Sequence, residues 1–229
     1  MKKIAIITAR GGSKRIPRKN IRDFLGKPIM AYSIQAALDS GLFDEVMVST
    51  DDEEIAQIAR QYGANVPFMR SAAAANDFAT TADVLNEVLG EYKKRGQTFD
   101  YMCCIYPCAP LVTGEKLRSA FAQMQEMGAD SIFPTVRYSY PPQRALVLRD
   151  GQPVYQYPEY ALWRTQDLEP IYHDAGQFYF YKLETYGKGT AACKAMIELS
   201  DLEVQDIDNL DDWEIAEMKY GLMMKKQQK

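Results

Sequence analysis

Arg10, Lys14, Arg15, Arg18 and Lys19 crowd around Gly11 and Gly12 in the stretch Ala9-Arg10-Gly11-Gly12-Ser13-Lys14-Arg15-Ile16-Pro17-Arg18-Lys19-Asn20. Adjacent glycines let a backbone take positive φ and approach a ligand closely, so their N–H groups can face an anion. Folding does not require so many like charges in so short a stretch, and a polyphosphate is the simplest ligand that does. Far along the chain, Gln205-Asp206-Ile207-Asp208 supplies a second chemistry. If Val204–Asp208 is extended, Asp206 and Asp208 point to one side. Two such carboxylates repel unless a cation lies between them, and hard oxygen ligands at this spacing suit Mg²⁺, which leaves its other positions to water and phosphate. The competing reading is a helix start, with Asn209 and Asp211 capping a final helix; that explains Asp211 and Asp212 but not Asp206. A basic glycine loop together with a D-x-D is what phosphoryl or nucleotidyl transfer needs.

The elements that must hold these residues alternate apolar runs with helical periodicity, which predicts an α/β fold. Strands are expected over Ile4–Thr8, Glu45–Ser49, Tyr101–Tyr106, Ser131–Val136 and Gln177–Tyr181, and helices over Pro28–Ser40, Asp52–Tyr62, Thr81–Arg95, Thr113–Met127 and Asp211–Met224. Thr113 and Asp51 read as caps, and the lysine- and glutamine-rich tail as frayed. The expectation is a Rossmann-like, mostly parallel sheet with helices on both faces, one domain over residues 1–229, and ligands at the carboxyl ends of the strands. The rhythm breaks at about 137–170, a proline-rich segment carrying Tyr138, Tyr140, Tyr155, Tyr157, Tyr160 and Trp163. Ala145–Leu148 and Val154–Tyr157 around Asp150-Gly151 predict a hairpin, and the aromatic surface predicts an arm or lid that makes a homodimer.

Composition narrows the partners. The 229 residues are 47% apolar and 25% charged with a formal net charge of −4, so the basic loop stands out against an acidic background. Nucleic acid, which needs a broad basic face, is not an expected partner. The apolar run after Lys2-Lys3 is too short for a leader's core, no window approaches a membrane span, and the cytoplasm is the expected compartment. Cys103, Cys104, Cys108 and Cys193 include no C-x-x-C and read as free thiols; a single histidine, His173, argues against a zinc site. No Walker A occurs, and Gly187–Ala192 matches G-x-G-x-x-A but follows no early strand of a βαβ unit, so it reads as a chance match.

The loop from Ala9 to Asn20 resembles the signature of the cytidylyltransferases that activate nine-carbon sialic-type acids. Ser49-Thr50-Asp51-Asp52-Glu53-Glu54-Ile55, Arg70 with Asp77-Phe78-Ala79-Thr80-Thr81-Ala82-Asp83, and Gln205-Asp206-Ile207-Asp208 extend the resemblance over nearly the whole chain. It implies CTP as the nucleotide, held at its phosphates by Arg10, Gly11, Ser13 and Lys19 within a loop that includes Ala9 and Gly12, with Arg10 and Lys19 neutralising the transferred and leaving groups. Asn20, Arg70 and Thr81 are implied at base or ribose, and Asp206 and Asp208 at Mg²⁺. For Lys14, Arg15 and Arg18 a solvated role weighs equally, and Thr81 has the alternative of capping a helix.

Members that use N-acetylneuraminate carry Gln-Pro-Thr-Ser-Pro where this chain has Tyr106-Pro107-Cys108-Ala109-Pro110. A pocket lacking those hydrogen-bond partners disfavours a sugar that relied on them. With Asp174-Ala175-Gly176-Gln177-Phe178, Tyr140-Pro141-Pro142-Gln143-Arg144 and Arg164-Thr165-Gln166, the chain is most similar to the branch acting on pseudaminic acid, whose sugar suits a more apolar pocket. Arg164 is then the residue for the sugar carboxylate, and Tyr106, Gln166, Tyr172, His173, Asp174 and Gln177 line the sugar. The resemblance implies CMP transfer from CTP to pseudaminate with release of diphosphate, for glycosylating surface structures such as flagellin. The general base is left open among a metal-activated hydroxyl, a water and Asp208. The alternatives are the same chemistry on N-acetylneuraminate or legionaminate, a nucleotide-sugar glycosyltransferase, and a non-catalytic nucleotide-binding regulator.

Overall fold

A computed structural model describes residues 1–188 and 193–227. The chain runs through β1 (Lys3–Thr8), the short pair β2 (Asp23–Phe24) and β3 (Lys27–Pro28), α1 (Ile29–Ser40), β4 (Glu45–Ser49), α2 (Glu53–Gln61), α3 (Ala72–Ala75) and α4 (Thr81–Lys94). It continues through β5 (Tyr101–Ile105), α5 (Gly114–Glu126), β6 (Ser131–Arg137), β7 (Leu146–Arg149), β8 (Gln152–Tyr155), β9 (Tyr172–Asp174), β10 (Phe178–Lys182), β11 (Lys194–Leu199) and α6 (Leu210–Gln227). Gly187 and Lys188 of the G-x-G-x-x-A match follow β10; its last four positions lie outside the described residues.

The main sheet has the order β11-β6-β10-β5-β1-β4, with β9 beside the far end of β6. The expected αβ sheet forms: β4, β1, β5, β6 and β11 run one way. β9 and β10 run against them, which makes the sheet mixed. The reason is connectivity. β6 delivers the chain to the carboxyl edge, the 137–170 segment stays there, and the return through β9 and β10 is antiparallel without a crossover helix. Ile4, Ala5, Ile6 and Ile7 are all fully buried, as a central strand covered on both faces requires. Ala5 and Ile7 pack with Met30, Ile34, Ile55, Leu117 and Phe121 of α1, α2 and α5; Ile4 and Ile6 pack with Leu85, Val88 and Tyr92 of α4.

Local signals explain most boundaries. Thr113 caps α5 as expected. The cap of α2 is Asp52, whose carboxylate accepts from the Ile55 amide, and not Asp51; Thr80 with Asp83 forms the capping box of α4, leaving Thr81 as the first helical residue. α6 continues to Gln227 instead of fraying early, helped by Lys225 and Lys226 in its last turn. The hairpin β7–β8 is a sheet of its own, turning at Asp150 and Gly151 with φ of 51° and 77°, the left-handed pair that a two-residue turn demands. A third apolar cluster joins Ile16, Phe24, Tyr32, Ile207, Trp213 and Ala216. It ties the basic loop to the D-x-D through α6.

Candidate active site

The loop after β1 is built against the carboxyl end of β4. Ala9 donates its amide to the Ser49 carbonyl (3.0 Å) and Gly11 donates to Asp51 Oδ1 (2.9 Å). Asn20, only 5% exposed, donates Nδ2 to the Arg10 carbonyl (2.8 Å) and accepts from the Cys108 thiol (3.2 Å). The expectation for the glycines is corrected here. Neither Gly11 nor Gly12 has positive φ; the left-handed residue is Arg18, at φ 56°. Nor does the Gly11 amide face a ligand, since the Asp51 carboxylate takes it. Gly11 is required because a Cβ there would lie 2.9 Å from the Asp52 carboxylate, whereas Gly12 faces open space.

The five cations divide by their partners. Arg18 binds Asp52 and Glu54 at the start of α2, and the Arg18 guanidinium holds the Asp52 carboxyl below the usual carboxylate range. That pair is a scaffold. Lys19 donates Nζ to the Ile207 carbonyl (2.7 Å), between the two aspartates. The other three make exposed pairs: Arg10 with Asp77 (3.2 Å), Lys14 with Asp77 (2.6 Å) and Arg15 with Asp208 (2.6 Å).

The segment bearing the carboxylates forms no strand; Val204 is extended, but the stretch pairs with no neighbour among the described residues. Lysines take its carbonyls instead. Lys116 reaches the Glu203 carbonyl at 3.4 Å, Lys219 the Val204 carbonyl at 2.8 Å, and Lys19 that of Ile207. Gln177 braces the same Glu203 carbonyl at 2.9 Å. Burial, and then the like charge of Asp208, push the Asp206 carboxyl above its ordinary value.

A cavity of about 390 Å³ opens between these parts, walled by Arg10, Ser13, Lys14, Arg15, Lys19, Asn20, Tyr106, Cys108, Gly176 and Asp206, among others. The cavity thus brings together Arg10, Ser13, Lys19, Asn20, Tyr106 and Asp206, with Asp208 paired to Arg15 of its wall. Arg70 is 7% exposed and lies beneath, donating to the Ser49 hydroxyl (3.0 Å) and carbonyl (2.6 Å). Thr81 is exposed on α4. Of the residues expected at the sugar, Tyr106 lies on the cavity wall; Arg164, Gln166, Tyr172, His173, Asp174 and Gln177 do not. Arg164 makes a two-point pair with Asp167 on the arm, and Gln166 is exposed beside it. His173 is bonded through Nδ1 to the Asp174 carbonyl oxygen (2.9 Å), with its ring 4.9 Å from that of Tyr138. Asp174 accepts from the Gly176 amide and Tyr179 hydroxyl, so Asp174 and Gln177 shape the turn that presents Gly176. Two participants were not foreseen: Asp77 as partner of Arg10 and Lys14, and Cys108 as brace of Asn20.

The model of one family, described as cytidylyltransferase, matches residues 4–227. The chain belongs to that family. Its relatives include the pseudaminic acid cytidylyltransferase of Campylobacter jejuni, 41% identical over 96% of this chain and 97% of the relative. The CMP-N,N'-diacetyllegionaminic acid synthase of Legionella pneumophila is 33% identical over 95% of each chain. A CMP:2-keto-3-deoxy-manno-octonic acid synthetase solved with CTP superposes with a TM-score of 0.70 at 19% identity, covering 99% of this chain and 100% of that one; this likeness speaks to fold. As a cytidylyltransferase, the chain places its basic loop at the carboxyl end of the first strand, where the fold family leaves its crevice.

Two carboxylates are a poor zinc site, and no cluster of three or more His, Cys, Asp or Glu suited to a metal occurs among the described residues. They do suit Mg²⁺, which takes one or two protein carboxylates and completes its shell with water and phosphate.

Proposed function

We propose that this cytidylyltransferase transfers CMP from CTP to pseudaminic acid, releasing diphosphate. The observation that carries the reading is the meeting of Arg10, Lys19 and Asp206 in one cavity that Tyr106 and Cys108 also line. Arg10 and Lys19 face the phosphates; Ser13 adds a hydroxyl donor. The anomeric hydroxyl of the sugar attacks the α-phosphorus in line, the bond to the diphosphate oxygen breaks, and the hydroxyl proton leaves to water or to Asp208. Asp206 and Asp208 would hold Mg²⁺, which when bound would supply charge neutralisation at the phosphates. Positioning and charge stabilisation supply most of the acceleration.

For the sugar, the relative at 41% identity and the Tyr106-Pro107-Cys108 stretch of the wall favour pseudaminate. The relative named for diacetyllegionaminate keeps that acid as the second reading. Diphosphate release measured with CTP and a panel of nine-carbon acids decides: turnover is expected with pseudaminate foremost. Release with no acid overturns the cytidylyltransferase activity, and release with N-acetylneuraminate alone overturns the sugar assignment.

The working unit in this reading is a homodimer in the cytoplasm. Tyr140, Leu148 and Leu162 of the arm are 89%, 76% and 98% exposed, an apolar surface that a second copy would cover. Arg164 and Gln166 sit on that arm, away from their own cavity. No helix among the described residues is long and apolar enough to cross a membrane. Light scattering at micromolar concentration tests the dimer, and a monomer would refute it.

A further inference from the structure

Asp77 occupies an unusual position. It lies in the short turn between α3 and α4, and its two carboxylate oxygens are divided between two cations of the β1 loop: Oδ1 on Arg10 at 3.2 Å and Oδ2 on Lys14 at 2.6 Å. Both cations wall the cavity. One carboxylate bridging two cations has the charge and the spacing of a phosphate group doing the same.

The turn that carries Asp77 is held without it. Asn76 Oδ1 accepts from the amides of Phe78 (2.8 Å) and Ala79 (2.9 Å), and Thr80 with Asp83 closes the capping box of α4. Phe78 beside it is 94% exposed. Asp77 therefore releases both cations by a side-chain rotation, with no backbone to unwind. Arg18 offers a contrast: its partner Asp52 also caps α2, so its pairing is fixed by the fold.

We propose that Asp77 is a positioning residue that stands in for a phosphate of the nucleotide, acting through Arg10 and Lys14: it holds both cations when the site is empty and competes them away from diphosphate after transfer. The inference rests on the loop being the phosphate site. The competition has a physical basis. A polyanion that takes Arg10 and Lys14 must break two exposed ion pairs and leave a carboxylate close by, while an enzyme without that carboxylate offers the same cations unpaired. Tight diphosphate binding slows turnover by product inhibition, so an internal competitor favours release. The opposite role, in which Asp77 pre-orders the cations for the ligand, predicts the opposite sign.

The test is calorimetric titration of inorganic diphosphate into the full chain, alongside the Ki of diphosphate as product inhibitor. Asp77→Asn is expected to bind diphosphate about 3- to 10-fold more tightly, the scale of two exposed pairs, with Ki falling by the same factor. The gain should narrow at high salt, where exposed pairs are screened, and shrink in a Lys14→Met background. Damage to the fold does not tighten binding, and Asp77→Ser repeats the measurement with a different side chain. Unchanged or weaker diphosphate binding in both variants overturns the proposal. Arg10→Met separates it from its premise: if that variant binds diphosphate as the parent does, the loop is not the phosphate site, whatever Asp77→Asn shows.

Discussion

Asn20→Ala is the sharpest probe of how the loop is held. Asn20 makes two bonds, Nδ2 to the Arg10 carbonyl at 2.8 Å and Oδ1 from the Cys108 thiol at 3.2 Å. Alanine removes both and leaves the carbonyl and the thiol without partners. An orphaned buried polar group costs about 1–3 kcal/mol. Here the loss belongs at the low end, about 1–2 kcal/mol, because the adjoining cavity admits water to the carbonyl. For a chain of this size each kcal/mol shifts Tm by about 2–4 °C, so a fall of about 2–8 °C is expected in a thermal melt. Function should suffer more than stability. The Arg10 carbonyl fixes the turn that aims the Arg10 guanidinium, and a displacement of about 1 Å costs on the order of 10²-fold in rate. Diphosphate release with CTP should therefore show kcat/KM down by about 10- to 100-fold at a temperature where the variant is fully folded. Cys108→Ala, which removes only the thiol donor, should fall well short of that loss. A variant that melts lower yet keeps kcat/KM within about twofold would refute the reasoning and leave Asn20 with a structural role alone.

Three further outcomes follow from the same geometry. Gly11→Ala pushes a Cβ to 2.9 Å from an Asp52 carboxylate that Arg18 and the α2 amides hold in place; a destabilisation of about 1–3 kcal/mol is expected, while Gly12→Ala, facing open space, should melt as the parent does. Because the folded Asp206 carboxyl is raised by burial and by Asp208, its protonation stabilises the fold below its unfolded value and that support is lost as pH rises through the folded one. Asp206→Asn should accordingly melt about 1–2 °C higher at pH 7.5, a modest gain because the group is partly solvated, with the difference closing below pH ~4 and turnover lost at every pH; a lower melt at pH 7.5 refutes it. Burial pushes the Cys108 thiol up to about 12, so iodoacetamide at pH 8 should label exposed Cys193 first and Cys108 about 10²-fold more slowly; equal rates, read by peptide mass, would contradict the burial.

Much of the site was legible because it is written locally. The run Ile4–Thr8 followed by glycines and cations needs no tertiary knowledge to read as strand, turn and anion loop. The aspartates at 206 and 208 were legible as a pair by their spacing, but the shared direction expected of a strand was not, since the segment forms none. What escaped the sequence is long-range. Gly11 is glycine because Asp52 approaches it from α2, and Asp77 meets Arg10 across sixty-seven positions. β9 has three residues, too few for a pattern. β11 alternates Lys-Ala-Met-Ile-Glu-Leu with apolar residues on both faces at a sheet edge, where Met196 is left 43% exposed. The antiparallel course of β10 depends on which edge the chain returns from, and the apolar pattern of a doubly covered strand is the same in either direction. Arg164, Gln166 and His173 have side chains suited to a sugar acid, and side-chain type does not say which way an arm points.

The lysine-held segment from Glu203 to Asp208 carries a consequence for how the molecule comes to exist. A strand acquires its place from its neighbour's backbone, early and cooperatively. This segment acquires its place from side chains of the β1 loop, α5 and α6, and the Lys19–Ile207 contact closes 188 positions of chain. Loops of that length close late, after nearer contacts have shortened them. The carboxylate pair is therefore expected to be among the last features to assemble as the chain folds.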